Sequence, residues 1–147
     1  MGTAGGTPRS CPSALEYEPG WTPLLMASKY GNRHLVEMLL EAGADPNRAD
    51  GLGRSQLCLA ALYGDNNIVH ALLSAGAKPD EKDNMGRTPI HHAAIKGNHS
   101  TVKELIDGGA DISIEDNEGN TPLYMAVGEG HQDVVDLLLD SGAQPFA

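Results

Sequence analysis

Apolar residues recur along this chain in short bursts at helical spacing, separated by glycines and turn-forming residues. In residues 33–43 they fall at Leu35, Val36, Leu39 and Leu40, which share one face of a helix. The aliphatic pair Leu39-Leu40 returns as Leu72-Leu73, Leu105-Ile106 and Leu138-Leu139, each 33 residues after the last. Ahead of each pair lies another recurring segment: Thr22-Pro23-Leu24, Ser55-Gln56-Leu57, Thr88-Pro89-Ile90 and Thr121-Pro122-Leu123. Ala27, Ala60, Ala93 and Ala126 keep the same period. So do three series of glycines, at 20, 53, 86 and 119, at 31, 64, 97 and 130, and at 43, 76, 109 and 142. A fixed period with three glycines in phase predicts a repeat architecture.

Each position has a physical reason. A threonine hydroxyl at 22 caps a helix start, and Pro23 at the first helical position loses no needed amide donor. Gly31 ends that helix about two turns later, a second helix carries the aliphatic face, and Gly43 suits the left-handed residue just past its end. Ala44-Asp45-Pro46-Asn47 then leads into a turn. Each unit therefore reads as two short antiparallel helices and a protruding turn. One such pair cannot bury its apolar faces alone, but stacked neighbours can, each buried leucine contributing about 1.5–3 kcal/mol.

The pattern G-x-T-P-L-x-x-A-x-x-x-G followed by V-x-x-L-L-x-x-G-A resembles the ankyrin repeat, over about residues 17–147. The resemblance implies an all-α ankyrin-repeat solenoid of four helix-turn-helix units with protruding β-turn loops. The units would be 17–49, 50–82, 83–115 and 116–147, behind a flexible tail of residues 1–16 that matches nothing. The second unit departs most, with Ser55-Gln56 for Thr-Pro, and its first helix is expected to form with a slightly weaker start. Unit four reads as an internal repeat, with Val134, Val135, Leu137, Leu138 and Leu139 running up to Gln144-Pro145-Phe146-Ala147. The chain is accordingly expected to be part of a longer protein, with a complete four-repeat protein as the alternative.

Composition adds little to that picture, and charge adds more. The 147 residues are 40% hydrophobic and 20% charged, ordinary for a soluble domain. Two cysteines, Cys11 and Cys58, make no disulfide framework and suit a reducing compartment, so a cytoplasmic or nuclear location is expected. The first residues lack the apolar core of a signal peptide, Gly6 stands where a myristoylation signal needs Ser or Thr, and the apolar run Leu57 to Tyr63 is far too short to span a bilayer. All ten Lys and Arg lie at or before Lys103, and ten of the twenty Asp and Glu lie from Glu104 to Asp140. Residues 104–147 therefore carry the whole net charge of −10, which argues against nucleic-acid binding. That acidic third reads as a solvated surface, with a basic partner as the sharper alternative.

The candidate chemistry reduces to a few residues. His91 and His92 are adjacent on a helix, so their side chains point about 100° apart and cannot converge on one metal. His91 reads as a packing or loop-bonding residue, His92 as partly buried and His99 as a surface residue. The segment 116–120, Asp-Asn-Glu-Gly-Asn, lacks the ligand spacing of a calcium loop. Cys58, inside Leu57–Leu62, reads as an inert buried thiol. No phosphate loop, zinc spacing or paired-carboxylate signature is present, so neither catalysis nor a cofactor is expected.

The resemblance implies a non-enzymatic protein-interaction scaffold that binds a partner on the protruding turns and the concave face of the first helices. The residues it puts there are Trp21, Lys29 and Tyr30 in unit one, Leu52, Arg54, Leu62 and Tyr63 in unit two, and Met85, Arg87, Ile95 and Lys96 in unit three. Unit four offers Glu118, Asn120 and Glu129. Aromatic and apolar groups among cations suit a protein or peptide partner with acidic and apolar side chains. The chain alone is expected to be monomeric. Two further implications are a regulatory or substrate-recruiting domain of a longer enzyme or ubiquitin-ligase adaptor, and a small kinase inhibitor. The inhibitors of this type have a shortened first helix in unit two, and here Ser55–Gly64 is full length. Asn47, preceded by Leu39-Leu40 and Asp45, is the one position that fits asparaginyl hydroxylation in this family; Asp80, Ser113 and Phe146 hold its slot elsewhere.

Overall fold

A computed structural model of the chain describes residues 22–63 and 65–145. Among them are eight helices: α1 Pro23–Lys29, α2 Arg33–Glu41, α3 Gln56–Tyr63, α4 Asn66–Ser74, α5 Pro89–Lys96, α6 His99–Asp107, α7 Pro122–Gly128 and α8 Gln132–Asp140. Two helices fall in each period of 33. Trp21, the N-terminal tail, Gly64 and Phe146 lie outside the described residues.

The caps expected from the sequence form. The hydroxyl of Thr22 accepts the Leu25 amide and that of Thr121 accepts the Tyr124 amide, both at 3.1 Å. In unit two Ser55 accepts the Cys58 amide, also at 3.1 Å. Gln56, standing where the other units have proline, sends Nε2 to the Asp45 carbonyl at 3.0 Å. The expected weaker start of α3 is thus offset by a bond that proline cannot make, and α3 runs a full eight residues. The second helices are capped by Asn32, Asp65 and Asn98. Gly97 closes α5 with φ +73°, a left-handed conformation that side chains with a Cβ rarely take.

Odd-numbered helices pack on one another in one row and even-numbered helices in a second, with each pair joined across the layers. The core lies between the rows. Ala60, Ala93 and Ala126 let the first helices approach closely, and Leu72, Leu105 and Leu138 fill the space behind them, all fully buried.

The turns that precede α3, α5 and α7 are each organised by one aspartate. Oδ1 of Asp50 accepts the amides of Leu52 and Arg54, Oδ1 of Asp83 those of Met85 and Arg87, and Oδ1 of Asp116 those of Glu118 and Asn120, all at 2.9–3.0 Å. Successive turns are stitched together: the Asn84 amide reaches the Leu52 carbonyl at 3.0 Å, and the Asn117 amide the Met85 carbonyl at 2.9 Å. Gly86 has φ +77°, and a Cβ there would stand 2.8 Å from the Asn117 amide nitrogen, so this close stitching needs glycine.

Candidate binding surface

Of the residues at the turn tips and at the C-terminal ends of the first helices, Tyr30, Leu52, Tyr63 and Met85 are each about half exposed. Leu52 and Met85 hold equivalent turn tips, fixed because their own amides bond Asp50 and Asp83 while their carbonyls bond the next turn. Tyr30 and Tyr63 hold equivalent positions at helix ends. Lys29 places Nζ 5.4 Å from the centre of the Tyr30 ring, a cation–π distance. Lys96 is exposed at the end of α5, while Leu62 and Ile95 are half-buried. The equivalent residue to Lys96 in unit four is the exposed Glu129, so this slot changes sign between units three and four.

The two arginines differ from the free cations that the sequence suggested. Both are half-buried. Arg54 Nη2 lies 2.8 Å from the Asp50 carboxylate, and Arg87 Nε lies 3.5 Å from that of Asp116. Their charges are spent on aspartates buried in the turns, because a buried carboxylate needs a counter-charge. Burial alone would raise the Asp116 carboxyl, but the amides of Asn120 and Glu118, the Asn120 side chain and Arg87 together hold it below the usual carboxylate range. The exposed stripe is therefore more apolar and less basic than its residue types imply.

The histidines are structural. His91 is fully buried and its Nδ1 accepts the Thr88 amide at 3.1 Å, with the Thr88 hydroxyl 2.9 Å away. With Nδ1 accepting, the proton sits on Nε2, which donates to the Asn120 carbonyl of unit four at 2.9 Å. His92 is more deeply buried than expected, since its Nε2 reaches Asp83 Oδ2 at 2.9 Å inside its own unit. Burial, ahead of these bonds, pushes both imidazoles below their ordinary value. The two rings diverge as the helical geometry requires, and no group of three metal-ligating side chains occurs among the described residues. The Asp116 turn resembles a cation loop in sequence but bonds its own backbone amides instead. Cys58 is fully buried, and burial pushes its thiol up to about 12, so no reactive thiolate is available.

Asn47 is half-buried and engaged. Its Oδ1 accepts the Lys78 amide at 2.9 Å and its Nδ2 approaches the Gly76 carbonyl at 3.5 Å, tying unit one to unit two. Hydroxylation there would require those bonds to open. Sequence reasoning missed the aspartates 50, 83 and 116 as organisers of the turns; their exact spacing of 33 was the available signal. It also missed His131, which occupies a capping slot but sends Nε2 to the Ile95 carbonyl of unit three at 2.9 Å.

A family model described as Ankyrin repeats (3 copies) matches residues 57–147, and one described as Ankyrin repeat matches residues 19–51. The chain belongs to the ankyrin repeat family. The short interval between the matches contains Ser55 and Gln56, the two residues at which unit two leaves the repeat pattern. Ankyrin repeats are, as a class, protein–protein interaction modules, typically without enzymatic activity. No curated protein matches the chain. No helix among the described residues is long and apolar enough to cross a membrane.

Proposed function

We propose that this chain is a non-enzymatic scaffold that takes a peptide or protein partner along the side formed by its turn tips and first-helix ends, the concave side in this family. The observation that carries the reading is the row of Tyr30, Leu52, Tyr63 and Met85, large apolar groups left in water at equivalent positions of successive units. Exposed apolar groups in series cost solubility unless a partner covers them. Tyrosine and methionine are also enriched in interface cores. Ile95 and Lys96 add to Met85 in unit three. The partner presents mainly apolar side chains, with acidic ones opposite Lys96. The cytoplasm or nucleus suits such a scaffold.

Affinity capture with the intact chain tests this, compared with Leu52→Ser/Tyr63→Ser/Met85→Ser. These exposed positions lie outside the core, so the melting temperature should move little. Loss of the captured partner in the triple variant is expected. Recovery of the same partner at the same yield would sink the reading.

A further inference from the structure

One polar tie recurs between successive units and is missing between units three and four. Asn47 Oδ1 accepts the Lys78 amide at 2.9 Å, and at the equivalent position Asp80 Oδ1 accepts the Asp111 amide at 2.8 Å. In both cases a side-chain oxygen of one unit bonds a backbone amide of the next. The same slot in unit three holds Ser113, and the equivalent amide is that of Gln144. The Ser113 hydroxyl donates instead to Asp111 Oδ1 in its own unit, at 2.6 Å. The Gln144 amide has no hydrogen-bond partner among the described residues.

Ser113 and Gln144 nevertheless line the same cavity of ≈ 90 Å³, together with Glu115 and Thr121. The serine oxygen sits directly on Cβ, whereas the oxygens of Asn47 and Asp80 sit one carbon further out. Serine is therefore too short for the tie, and its hydroxyl turns to the nearer carboxylate. Phosphorylation would lengthen this side chain and add strong acceptor oxygens. It would also remove the O–H that now donates to Asp111, leaving the unpaired Gln144 amide as the donor within the cavity. Asp80 already places an anion in this slot at the preceding junction. Asp111 and Glu115 are exposed, so solvent screens their repulsion of a phosphate below the worth of a hydrogen bond to a charged acceptor.

Ser113 is itself exposed and open to a modifying enzyme. The exposed Asp111 and Glu115 flank it, and no Lys or Arg occurs after Lys103. Such a segment complements a kinase whose substrate groove is basic. We propose that Ser113 is a phosphorylation site for an acid-directed serine kinase, and that its phosphate accepts the Gln144 amide and ties unit four to unit three. Ser113 Oγ attacks the γ-phosphorus of ATP. The Oγ–P bond forms, the bond from that phosphorus to the β–γ bridging oxygen breaks, ADP leaves, and the hydroxyl proton passes to the base of the kinase. The site is separate from Tyr30, Leu52, Tyr63 and Met85.

The intact chain, treated with a purified kinase of that class and magnesium-ATP, tests the proposal by mass spectrometry and by amide exchange in NMR. Phosphate should appear on Ser113, be absent from that peptide in Ser113→Ala, and arrive several-fold more slowly in Glu115→Gln. In the phosphorylated chain the Gln144 amide should exchange about tenfold more slowly, the factor for one hydrogen bond to a charged acceptor. The melting temperature should rise with it. Ser113→Asn, which puts the side chain of Asn47 into this slot, should slow the same amide without any phosphate. No phosphate on Ser113 would overturn the site. Phosphate that leaves Gln144 exchange unchanged, or that lowers the melting temperature, would overturn the tie, as would unchanged exchange in Ser113→Asn.

Discussion

At the slot where unit three carries His91, unit two carries Cys58, and both are fully buried. The imidazole holds its own helix start through Thr88 and unit four through Asn120. Cys58 Sγ comes only within 3.9 Å of the Glu81 carbonyl, a weak contact. The neighbouring arginines divide in the same way. Arg87 reaches forward to Asp116, while Arg54 turns back to Asp50. The forward aspartate equivalent for Arg54 would be Asp83, whose outer oxygen is already taken by His92. At this slot similar helical hairpins thus meet their successors in two ways: Cys58 gives unit three little polar tie, and that junction draws its polar ties from elsewhere, such as His70 to Glu104 and Asp80 to the Asp111 amide, while His91 and Arg87 tie unit three directly to unit four. The lesson is that periodic backbone geometry does not require periodic cross-links. Leu72 and Leu105 supply the same burial to both units, and the polar residues are free to vary on top of it.

Breaking the shared part should cost most. Leu72→Ala and Leu105→Ala should each lose about 2–5 kcal/mol in urea unfolding. The two losses should agree within about 1 kcal/mol, given the two- to three-fold context dependence of such values; a larger gap would mean that the apolar layers also differ. Next, His91→Ala should cost about 3 kcal/mol, since it opens a cavity and leaves the Thr88 amide and Asn120 carbonyl without their bonds. Cys58→Ala should cost about 1–2 kcal/mol, the loss of one small buried group. Equal costs for the pair would erase the proposed contrast between the junctions.

Two smaller effects sharpen the contrast. Thr101 and Ile68 share a slot and are both fully buried, yet the Thr101 hydroxyl has no hydrogen-bond partner among the described residues. Thr101→Val should therefore stabilise by about 1 kcal/mol, seen as a higher melting temperature. The pH dependence is the finest probe. The imidazoles of His91 and His92 are held below the ordinary 6.5, so their folded-state preference is for the neutral form. The unfolded chain takes up those protons first. Stability should be full above 6.5, fall as pH drops below it, and level off once the folded-state values are passed. Asp116, held below 3.8, adds a further loss only at still lower pH. Melting curves between about pH 7.5 and 5.5 should show the first loss, and His91→Leu/His92→Met should diminish it. An unchanged slope in that variant would remove the histidines as its cause.

Much of the fold was legible because a period of 33 multiplies every weak signal by four. A single Thr-Pro or Gly says little, but the same residues in phase define helix starts and ends together. The proposed binding surface was only half legible. Tyr30, Leu52, Tyr63 and Met85 were placed by their register, and register decides which way a side chain leaves a regular helix or turn. Whether Arg54 and Arg87 are available was not legible, since that depends on carboxylates brought close by the turns, one of them 29 residues distant. The reach of His131 across to Ile95, 36 residues earlier, was equally invisible, because its slot in the other units is a local capping position.

By itself the sequence determined the family, the four-unit period, the helix starts and ends, and the slots that face the core, because these rest on local backbone preferences and on apolar residues repeated at a fixed interval. The tertiary structure alone decided which polar groups are spent and which remain in water. Burial and hydrogen bonding depend on what the neighbouring unit places a few ångströms away, and so Tyr124 is exposed where His91, in the same slot, is sealed.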